Sequence, residues 1–218
     1  MTESTLPLAG VTVLDLTRPP SGGFCTVLLA DLGATVIRVE SPKRRRFAGP
    51  IGPNRGQDSV AVDLRHPRGQ EALRRLAAHA DVLIENMRPG AMDERGFGYA
   101  QAAAEFPRLI WCSVSSSGQD GPYAQWSGHD LAFAANPVLP AALNPELPWN
   151  PQLILATPMG ALRASVGILA ALLERDQTGA GCQLDINLSE SASRRAAPSR
   201  PPAASQDERP RLADRAPA

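Results

Sequence analysis

The amino-acid sequence predicts an α/β domain with a largely parallel sheet. Short runs rich in β-branched residues alternate with helical patterns between residues 11 and 188, the order produced by parallel strands joined through crossover helices. The 218 residues suffice for one domain or slightly more, and 43% of them are hydrophobic while 20% are charged. Those fractions are typical of a soluble globular protein and exclude a chain that is disordered throughout.

The first predicted unit is a strand, a glycine-bearing turn, a helix and a second strand. The strands are residues 11–17 and 34–40, and the helix between them is residues 24–33. The turn RPPSGGF joins a strand to a helix, where free backbone N–H groups attract anions. Its spacing is not G-x-G-x-x-G, so Gly22 and Gly23 are either ordinary turn residues with positive φ or part of a phosphate cradle.

The next unit repeats the order strand, helix, strand. Residues 60–64 and 81–86 are predicted strands, and residues 67–80 form the helix between them, with Pro67 suited to its first turn. One face of that helix carries apolar residues at the i, i+3, i+4, i+7 spacing and is expected to pack on the sheet. These residues are Leu73, Leu76, Ala77 and Ala80.

The remaining elements also alternate between helix and strand. A short helix at residues 99–106 precedes a strand at residues 109–115, so the sheet is predicted to have about five strands. Residues 159–175 form a long helix, TGAG stops it, and residues 182–188 are a last strand. The helical period is carried by Leu162, Val166, Leu169 and Leu173.

Two segments break the pattern. Residues 116–158 are rich in Gly, Pro, Asn and Trp and are longer than an ordinary connection, which is typical of an active-site or interface segment. From Ser191 onward Leu212 is the only large apolar residue. Because such a segment buries too little surface to offset its ordering entropy, residues 191–218 are predicted to be disordered and residues 1–190 to form the domain.

Charge and cysteine content narrow the classes of function. Lys and Arg number 22, as do Asp and Glu, so the zero net charge gives no electrostatic reason to bind nucleic acid or a membrane. Cys25, Cys112 and Cys182 are odd in number and far apart, so neither disulfides nor a metal site is expected. The sequence shows no signal-peptide pattern and no 18-residue apolar run, so a cytoplasmic protein is predicted.

Several polar features stand at the ends of predicted strands, where open α/β sheets bind ligands. The loop SPKRRRF, residues 41–47, concentrates four cations. It is either a solvated loop or a clamp for a phosphorylated ligand, with Arg18 and Arg38 nearby in the predicted fold. Asn86 is either a turn cap or an amide that hydrogen-bonds a ligand or the neighbouring loop.

His129, in SGHDL, is the best single candidate for acid–base chemistry. Histidine titrates nearest neutrality, and Asp130 or another carboxylate is a candidate to orient it. A structural role for a lone histidine is the alternative. The sequence contains no nucleophile elbow, Walker loop, HExxH or CxxC pair.

Taken together, several segments resemble the family III CoA-transferases, which include formyl-CoA transferase, carnitine CoA-transferase and the α-methylacyl-CoA racemases. The segments follow in unbroken order over about residues 6–190: LPLAGVTVLDLT, ADLGATVIRVE, VAVDLRHPRGQEALRRLAAHADVLIENMRPGAMDERGFG, GHDLAF and GILAALLERDQTGAGCQLDINL. The resemblance implies a Rossmann-like domain that binds coenzyme A, free or as an acyl-CoA, at the carboxyl ends of its strands. It also implies an interlocked homodimer or pairing with a homologous subunit.

The resemblance and the cation clamp together assign candidate residues to coenzyme A contact. Glu94 and Arg95 lie where family members contact coenzyme A. A glutamate is a poor partner for phosphate, so Arg95 is expected to make the phosphate contact. In the racemase branch the histidine of GHDLAF acts as acid and base, and this role carries over to His129. The assigned contacts are Arg18, Ser21, Arg38, Ser41, Val62, Asp63, Asn86, Met87 and Arg95.

Two features depart from the family pattern. Thr157 occupies the place of the catalytic aspartate, so the carboxylate that attacks the thioester is missing, and the racemase histidine loses its partner. The chain is also shorter than the family, and it is expected to be a truncated form. The alternatives are a CoA-transferase acting between an acyl-CoA and a carboxylic acid, a racemase-like protein that uses His129, and a non-catalytic CoA-binding subunit. The acyl group is not predicted.

Overall fold

The sheet has six parallel strands in the order β3-β2-β1-β4-β5-β6. The computed structural model describes residues 6–18, 21–43, 55–134 and 154–196. Because the chain starts in the middle of the sheet and builds outwards in both directions, the order of strands reverses between β1 and β4, which is a topological switch point. The strands are β1 Thr12–Asp15, β2 Thr35–Glu40, β3 Gln57–Ala61, β4 Val82–Glu85, β5 Ile110–Ser115 and β6 Gln183–Asn187.

Helices cover both faces of the sheet. On one face α1 and α5 pack side by side, and α6 lies against α5. The other face is covered by α2, a 3₁₀ turn at Asp93–Arg95, and α3. The helices are α1 Ser21–Asp31, α2 Pro67–Ala77, α3 Tyr99–Glu105, α4 Asp130–Ala134, α5 Ala156–Thr178 and α6 Leu188–Ala196. The predicted α/β class with a parallel sheet is confirmed.

Each face of the sheet has its own core, because successive residues of a strand point to opposite sides. Val13 and Ile84 belong to the core beneath α1 and α5, whereas Leu14 and Leu83 belong to the core beneath α2 and α3. Every residue of β4 and β5 is buried, as expected for strands covered on both faces.

Helix α1 begins earlier than the sequence predicts and approaches β1 closely. Gly22 and Gly23 lie in its first turn, so their interpretation as turn residues with positive φ is wrong. A Cβ added to Gly22 would lie 2.1 Å from the Cβ of Thr17. The glycine is therefore required by close packing between helix and strand end.

The edge strand β3 lies further towards the amino terminus than predicted. It pairs with β2 from Val36↔Gln57 to Glu40↔Ala61, whereas residues 60–64 were expected. The chain leaves the ladder because Asp63 forms a turn: its carboxylate accepts from the backbone N–H of Arg65 at 3.1 Å. The Asp63 carbonyl also accepts from the N–H of His66 at 3.0 Å.

Helix α5 buries a different face from the one that carries its predicted period. Its inner face is formed largely by small residues, among them Ala161, Ala164 and Ala171. Leu162, Val166 and Leu173 are 50%, 65% and 68% exposed. By length and composition α5 is apolar enough to cross a membrane, but half of its most apolar window is buried within the protein, as in a core helix of a globular domain.

The segment after β6 is helical where disorder was predicted. Helix α6 extends to Ala196, so the expectation of disorder from Ser191 is wrong for residues 191–196. Ser191 and Ala192 are buried, and the hydroxyl of Ser191 donates to the Asn187 carbonyl at 2.7 Å. The rest of the predicted tail, residues 197–218, lies outside the described residues.

Candidate functional site

The switch point is bridged by a side chain that joins two loops. The Asn86 Oδ1 accepts from the backbone N–H of Arg18 at 2.8 Å, and the Asn86 Nδ2 donates to the Arg18 carbonyl at 2.8 Å. The amide therefore pairs with the loop after β1 as a neighbouring strand would. Of the roles predicted for Asn86, the contact with the neighbouring loop is the one that the structure shows.

The other predicted coenzyme A contacts lie along the same edge. Parallel strands present their carboxyl ends together, so the residues that follow β2, β3 and β4 are neighbours at this edge. Ser41 follows β2, Val62 and Asp63 follow β3, and Met87 follows β4 after Asn86. Ser21 is the first residue of α1. Of the loop SPKRRRF, residues 44–47 lie outside the described residues.

Arg38 is held beneath this edge. Its guanidinium is 6% exposed and forms an ion pair with the buried Asp15 at 3.3 Å. It also donates to the Thr17 carbonyl at 3.2 Å and lies 3.5 Å from Glu40. These contacts position the loop after β1 from below. The phosphate contact predicted for Arg38 stays a prediction. The burial of the Arg38 guanidinium does not favour such a contact.

Arg95 lies on the 3₁₀ turn that follows β4, together with the exposed Glu94. Its guanidinium donates to the Ala91 carbonyl, so the side chain folds back on its own turn. Its expected role towards a phosphate stays a prediction.

Three exposed cations at the carboxyl edge were not singled out from the sequence as individual contacts: Lys43, Arg65 and Arg88. Each follows a strand within a few residues, after β2, β3 and β4 respectively. Their common signal is a cation shortly after the end of a parallel strand. That signal is weak by itself, because exposed loops carry cations for solubility as well.

Glu85 is a buried carboxyl that sequence reasoning missed. It ends β4, is 4% exposed, and accepts from the backbone N–H of Met87 at 2.7 Å. Burial raises the pKa of Glu85, although hydrogen bonds from Ser113 and the Met87 N–H act in the opposite direction. It lines a cavity of about 70 Å³ together with Arg88, Tyr99, Ser113 and Gln119. A cavity of this size has room for a few water molecules.

Asp130 connects α4 to the first turn of α5. Its Oδ1 accepts from the backbone N–H groups of Leu155 at 2.7 Å and Ala156 at 2.6 Å. Its Oδ2 accepts from the Thr157 N–H at 3.2 Å and from the Thr157 hydroxyl. Asp130 thereby satisfies the amides that a helix leaves free at its amino terminus.

This arrangement brings the two predicted catalytic positions into one region. His129 precedes Asp130 and is exposed, while Thr157 is bonded to Asp130 and only 4% exposed. The Asp130 carboxylate contacts the start of α5. These contacts do not support the expectation that Asp130 orients the His129 ring. A carboxylate whose oxygens already accept this many hydrogen bonds is a poor nucleophile.

The buried thiols are unsuited to nucleophilic chemistry. Burial raises the pKa of Cys25 to about 12 and that of Cys112 well above its ordinary value. Both thiols therefore stay protonated at neutral pH. Within the part of the chain that the structure describes, no group of three or more His, Cys, Asp or Glu residues is arranged to hold a metal ion.

An open parallel sheet in this order, with polar side chains gathered at its switch point, defines a Rossmann-like α/β domain. The chain belongs to CoA-transferase family III, whose family model matches residues 8–217. The resemblance drawn from the sequence is thus confirmed. The match also runs beyond residue 190, where the predicted domain ended.

Individual relatives agree with this assignment. The chain is 38% identical over 201 residues to the succinyl-CoA:glutarate CoA-transferase of Mus musculus, covering 85% of this chain and 46% of the relative. It is 36% identical over 190 residues to the α-methylacyl-CoA racemase of Homo sapiens, covering 85% of this chain and 49% of the relative. The chain therefore spans about half the length of the curated relatives that it matches.

A solved structure shows the same fold. A CAIB/BAIF family protein from Brucella suis superposes with a TM-score of 0.81 at 34% sequence identity, covering 87% of this chain and 55% of that protein. The family's fold is thus present in this chain over the strands and helices described above.

Proposed function

We propose that this chain binds coenzyme A or an acyl-CoA thioester at the carboxyl edge of its sheet, across the switch point between β1 and β4. The observation that carries the proposal is the pair of hydrogen bonds between Asn86 and the Arg18 backbone. They tie Arg18, in the loop after β1, to the end of β4 beside the crevice where parallel sheets take their ligands. The buried Asp15–Arg38 pair supports the same loop from beneath.

The charges at this edge fit the phosphates of coenzyme A. Arg18, Lys43, Arg65 and Arg88 are exposed there, and Arg and Lys are the side chains that bind phosphate groups most strongly. The first turn of α1, at Ser21 and Gly22, adds backbone N–H groups at the same edge. Metal ions have no part in this proposal.

The first candidate function is the reaction of the family's CoA-transferases, which transfer CoA between an acyl-CoA and a carboxylic acid.

A second candidate, a non-catalytic CoA-binding subunit, is favoured by a specific observation. Thr157 stands where the family has its aspartate, is buried, and already donates its hydroxyl to Asp130. A racemase-like reaction through the exposed His129 is the third candidate.

The partner in assembly is proposed to be a second copy or a homologous subunit. Relatives include proteins named as the alpha and the beta subunit of succinyl-CoA–L-malate CoA-transferase from Chloroflexus aurantiacus, at 32% and 37% identity. A family member that works as one of two related chains is therefore a precedent for this one.

Coenzyme A binding is tested by calorimetric titration of the full chain. We expect Arg18→Ala to weaken binding by about tenfold to a hundredfold, since a hydrogen-bonded charge pair with phosphate contributes about 1.5–3 kcal/mol. Arg75→Ala removes the same charge near the end of α2, at the opposite edge of the sheet, and should leave the affinity unchanged. Wild-type affinity should fall as NaCl rises. Absence of binding, or equal effects of both variants, would contradict the proposal.

Catalytic incompleteness is tested at position 157. In the family reaction a carboxylate attacks the thioester carbonyl and expels CoA, whose thiolate then attacks the resulting anhydride to form an enzyme-linked thioester and release the acid. We expect Thr157→Asp/Pro158→Leu to form such an adduct with an acyl-CoA, trapped by hydroxylamine or borohydride, and the wild type to form none. Thr157→Asn/Pro158→Leu is the uncharged control. If the aspartate variant binds CoA but gives no adduct, the missing carboxylate is not the limiting defect.

A further inference from the structure

A chain of side-chain hydrogen bonds runs from the start of the edge strand β3 to the loop after β1. The Gln57 Nε2 donates to the Thr26 hydroxyl at 3.0 Å, and that hydroxyl donates to the Asp15 Oδ2 at 2.8 Å. The Asp15 Oδ1 accepts from the backbone N–H of Thr17 at 2.8 Å and from the Thr17 hydroxyl at 2.6 Å. The chain thus crosses β3, α1 and β1 before it reaches the loop.

The Thr26 hydroxyl is the link between the two halves of this chain. A threonine inside a helix commonly gives its hydroxyl proton to the carbonyl three or four residues earlier. Those carbonyls, of Gly22 and Gly23, lie 3.4 Å from the Thr26 hydroxyl oxygen, whereas the Asp15 Oδ2 lies at 2.8 Å. Because a hydroxyl has one proton and two lone pairs, the shorter contact indicates that Thr26 donates to Asp15 and accepts from Gln57.

Burial strengthens the bond between Thr26 and Asp15. Both residues are 0% exposed, so bulk water does not compete for the hydroxyl or for the carboxylate. A hydrogen bond in such surroundings is stronger than one at the surface, and loss of one partner leaves the other with an unmet polar group. The Thr26 hydroxyl is therefore well placed to fix the orientation of the Asp15 carboxylate.

The far end of the chain is the residue at which the loop begins. Thr17 is held by the Asp15 carboxylate, its carbonyl accepts from Arg38 at 3.2 Å, and its side chain lies against the first turn of α1. Arg18 follows Thr17 directly, and Ser21 begins α1. Both residues are proposed contacts for coenzyme A. The orientation of Thr17 therefore decides where this loop places its ligand-binding groups.

We infer that Thr26 is a positioning residue for the ligand site at the carboxyl edge, because its hydroxyl orients the Asp15 carboxylate that fixes Thr17. The same hydroxyl ties the start of β3 to the loop after β1 through Gln57. Thr26 is buried inside α1, so it acts through Asp15 and not by touching the ligand. The inference rests on the proposed function only in naming coenzyme A as the ligand.

The positioning role is tested by calorimetric titration of the full chain with coenzyme A. Thr26→Val keeps the shape of the side chain and removes the hydroxyl, so it should weaken binding by about three- to tenfold. Thr26→Ser keeps the hydroxyl and should bind with the affinity of the wild type. Thr178→Val removes a hydroxyl that donates to the Glu174 carbonyl at 3.0 Å near the end of α5, at the opposite edge of the sheet. This control should also bind as the wild type does.

Unfolding in urea separates positioning from a merely structural role. Thr26→Ser loses a buried methyl group and should lower the free energy of unfolding even though it keeps the affinity. A merely structural threonine would lower stability in both variants and leave the affinity of the folded protein unchanged. The inference is overturned if Thr26→Val binds coenzyme A as tightly as the wild type, or if both variants weaken binding equally.

Hydrogen exchange without coenzyme A tests the tie to β3. By NMR of the full chain, Thr26→Val should speed exchange of the Thr17 N–H and of the first amides of β3 together, by about three- to tenfold. Gln57→Ala cuts the chain on the β3 side and should speed β3 alone, whereas Thr26→Ser should speed neither.

The two measurements fail separately. If the wild type does not bind coenzyme A, the proposed function is wrong, and the exchange data still decide whether Thr26 joins the loop to β3. Exchange of Thr17 and β3 in Thr26→Val at the wild-type rates would overturn the inference, whatever the protein binds.

Discussion

At the scale of single residues, three carboxylates near the carboxyl edge differ because their surroundings differ. Asp15 is fully buried, but it faces Arg38 and accepts from Thr17 and Thr26. Asp130 is surrounded by the amides of α5. Glu85 is buried, and this burial raises its pKa. The surroundings of Glu85 therefore favour its neutral form.

Glu85 should therefore make stability depend on pH. Because the fold raises the pKa of this carboxyl, its contribution is fully present below the ordinary value of 4.5 and is lost as pH rises through the raised value in the folded state. The glutamine of Glu85→Gln is uncharged at every pH, so the variant should lose less stability than the wild type as pH rises. We expect the variant to be more stable than the wild type at pH 8 and to show a smaller difference at pH 4.5. The measurement is the free energy of unfolding in urea at each pH.

The exposed Glu71 supplies the control for this experiment. Glu71→Gln removes a carboxylate from the surface of α2, so it should shift stability by no more than about 0.5 kcal/mol at either pH. If Glu85→Gln and Glu71→Gln change the free energy of unfolding equally at both pH values, burial of the Glu85 carboxyl does not destabilise the fold.

At the scale of elements, two glycines in helices of the same face have opposite reasons for being glycine. At Gly22 a Cβ would lie 2.1 Å from the side chain of Thr17, which Asp15 holds in place. At Gly167 a Cβ would meet Leu184 at 3.5 Å, an ordinary van der Waals distance. One glycine is required by packing, and the other is tolerated at a cost in helix propensity.

Alanine at these two positions should change stability in opposite directions. Gly167→Ala should stabilise the protein by up to about 1 kcal/mol, since alanine is the better helix former. Gly22→Ala should destabilise it by about 1–3 kcal/mol, because overpacking against Thr17 exceeds the same gain in propensity. Unfolding in urea measures both changes. Equal signs would contradict the close approach of α1 to β1.

The sequence predicted the positions of the helices better than it predicted which face of a helix packs inwards. Hydrophobic periodicity located α5, but α5 carries two apolar stripes, one of large residues and one that includes Ala161, Ala164 and Ile168. The stripe with the small residues packs inwards, and larger residues of the predicted period, such as Val166, face outwards. Single-sequence periodicity cannot decide which stripe packs, because both satisfy it.

The candidate site was predictable in position and less so in its contacts. Asn86, His129 and Thr157 were recognisable because strand ends and the family motifs mark them. The cap that Asp130 provides to α5 joins residues 27 apart in the chain, and no local pattern signals such a contact. The burial of Arg38 likewise depends on Asp15, which lies 23 residues earlier.

At the scale of the whole molecule, the sheet is most buried at its centre and least at its edges. All residues of β4 are buried, as are those of β1 after Thr12, whereas β3 contains no buried residue. β3 pairs on one side only, within the part of the sheet that is described. A parallel strand at an edge has fewer contacts to lose when it detaches, so local opening there costs less free energy than opening at the centre.

Hydrogen exchange should therefore separate these strands. We expect amide protons of β1 and β4 to exchange only through global unfolding, so their exchange free energy should fall with added denaturant as steeply as that of the whole molecule. Amides of β3 should exchange faster, with little dependence on low denaturant, because the strand detaches while the core stays folded. Exchange measured by mass spectrometry or NMR across a denaturant series gives both slopes. If β3 were as protected as β4 with the same steep slope, the sheet would open as one cooperative unit and the gradient of burial would not govern its stability.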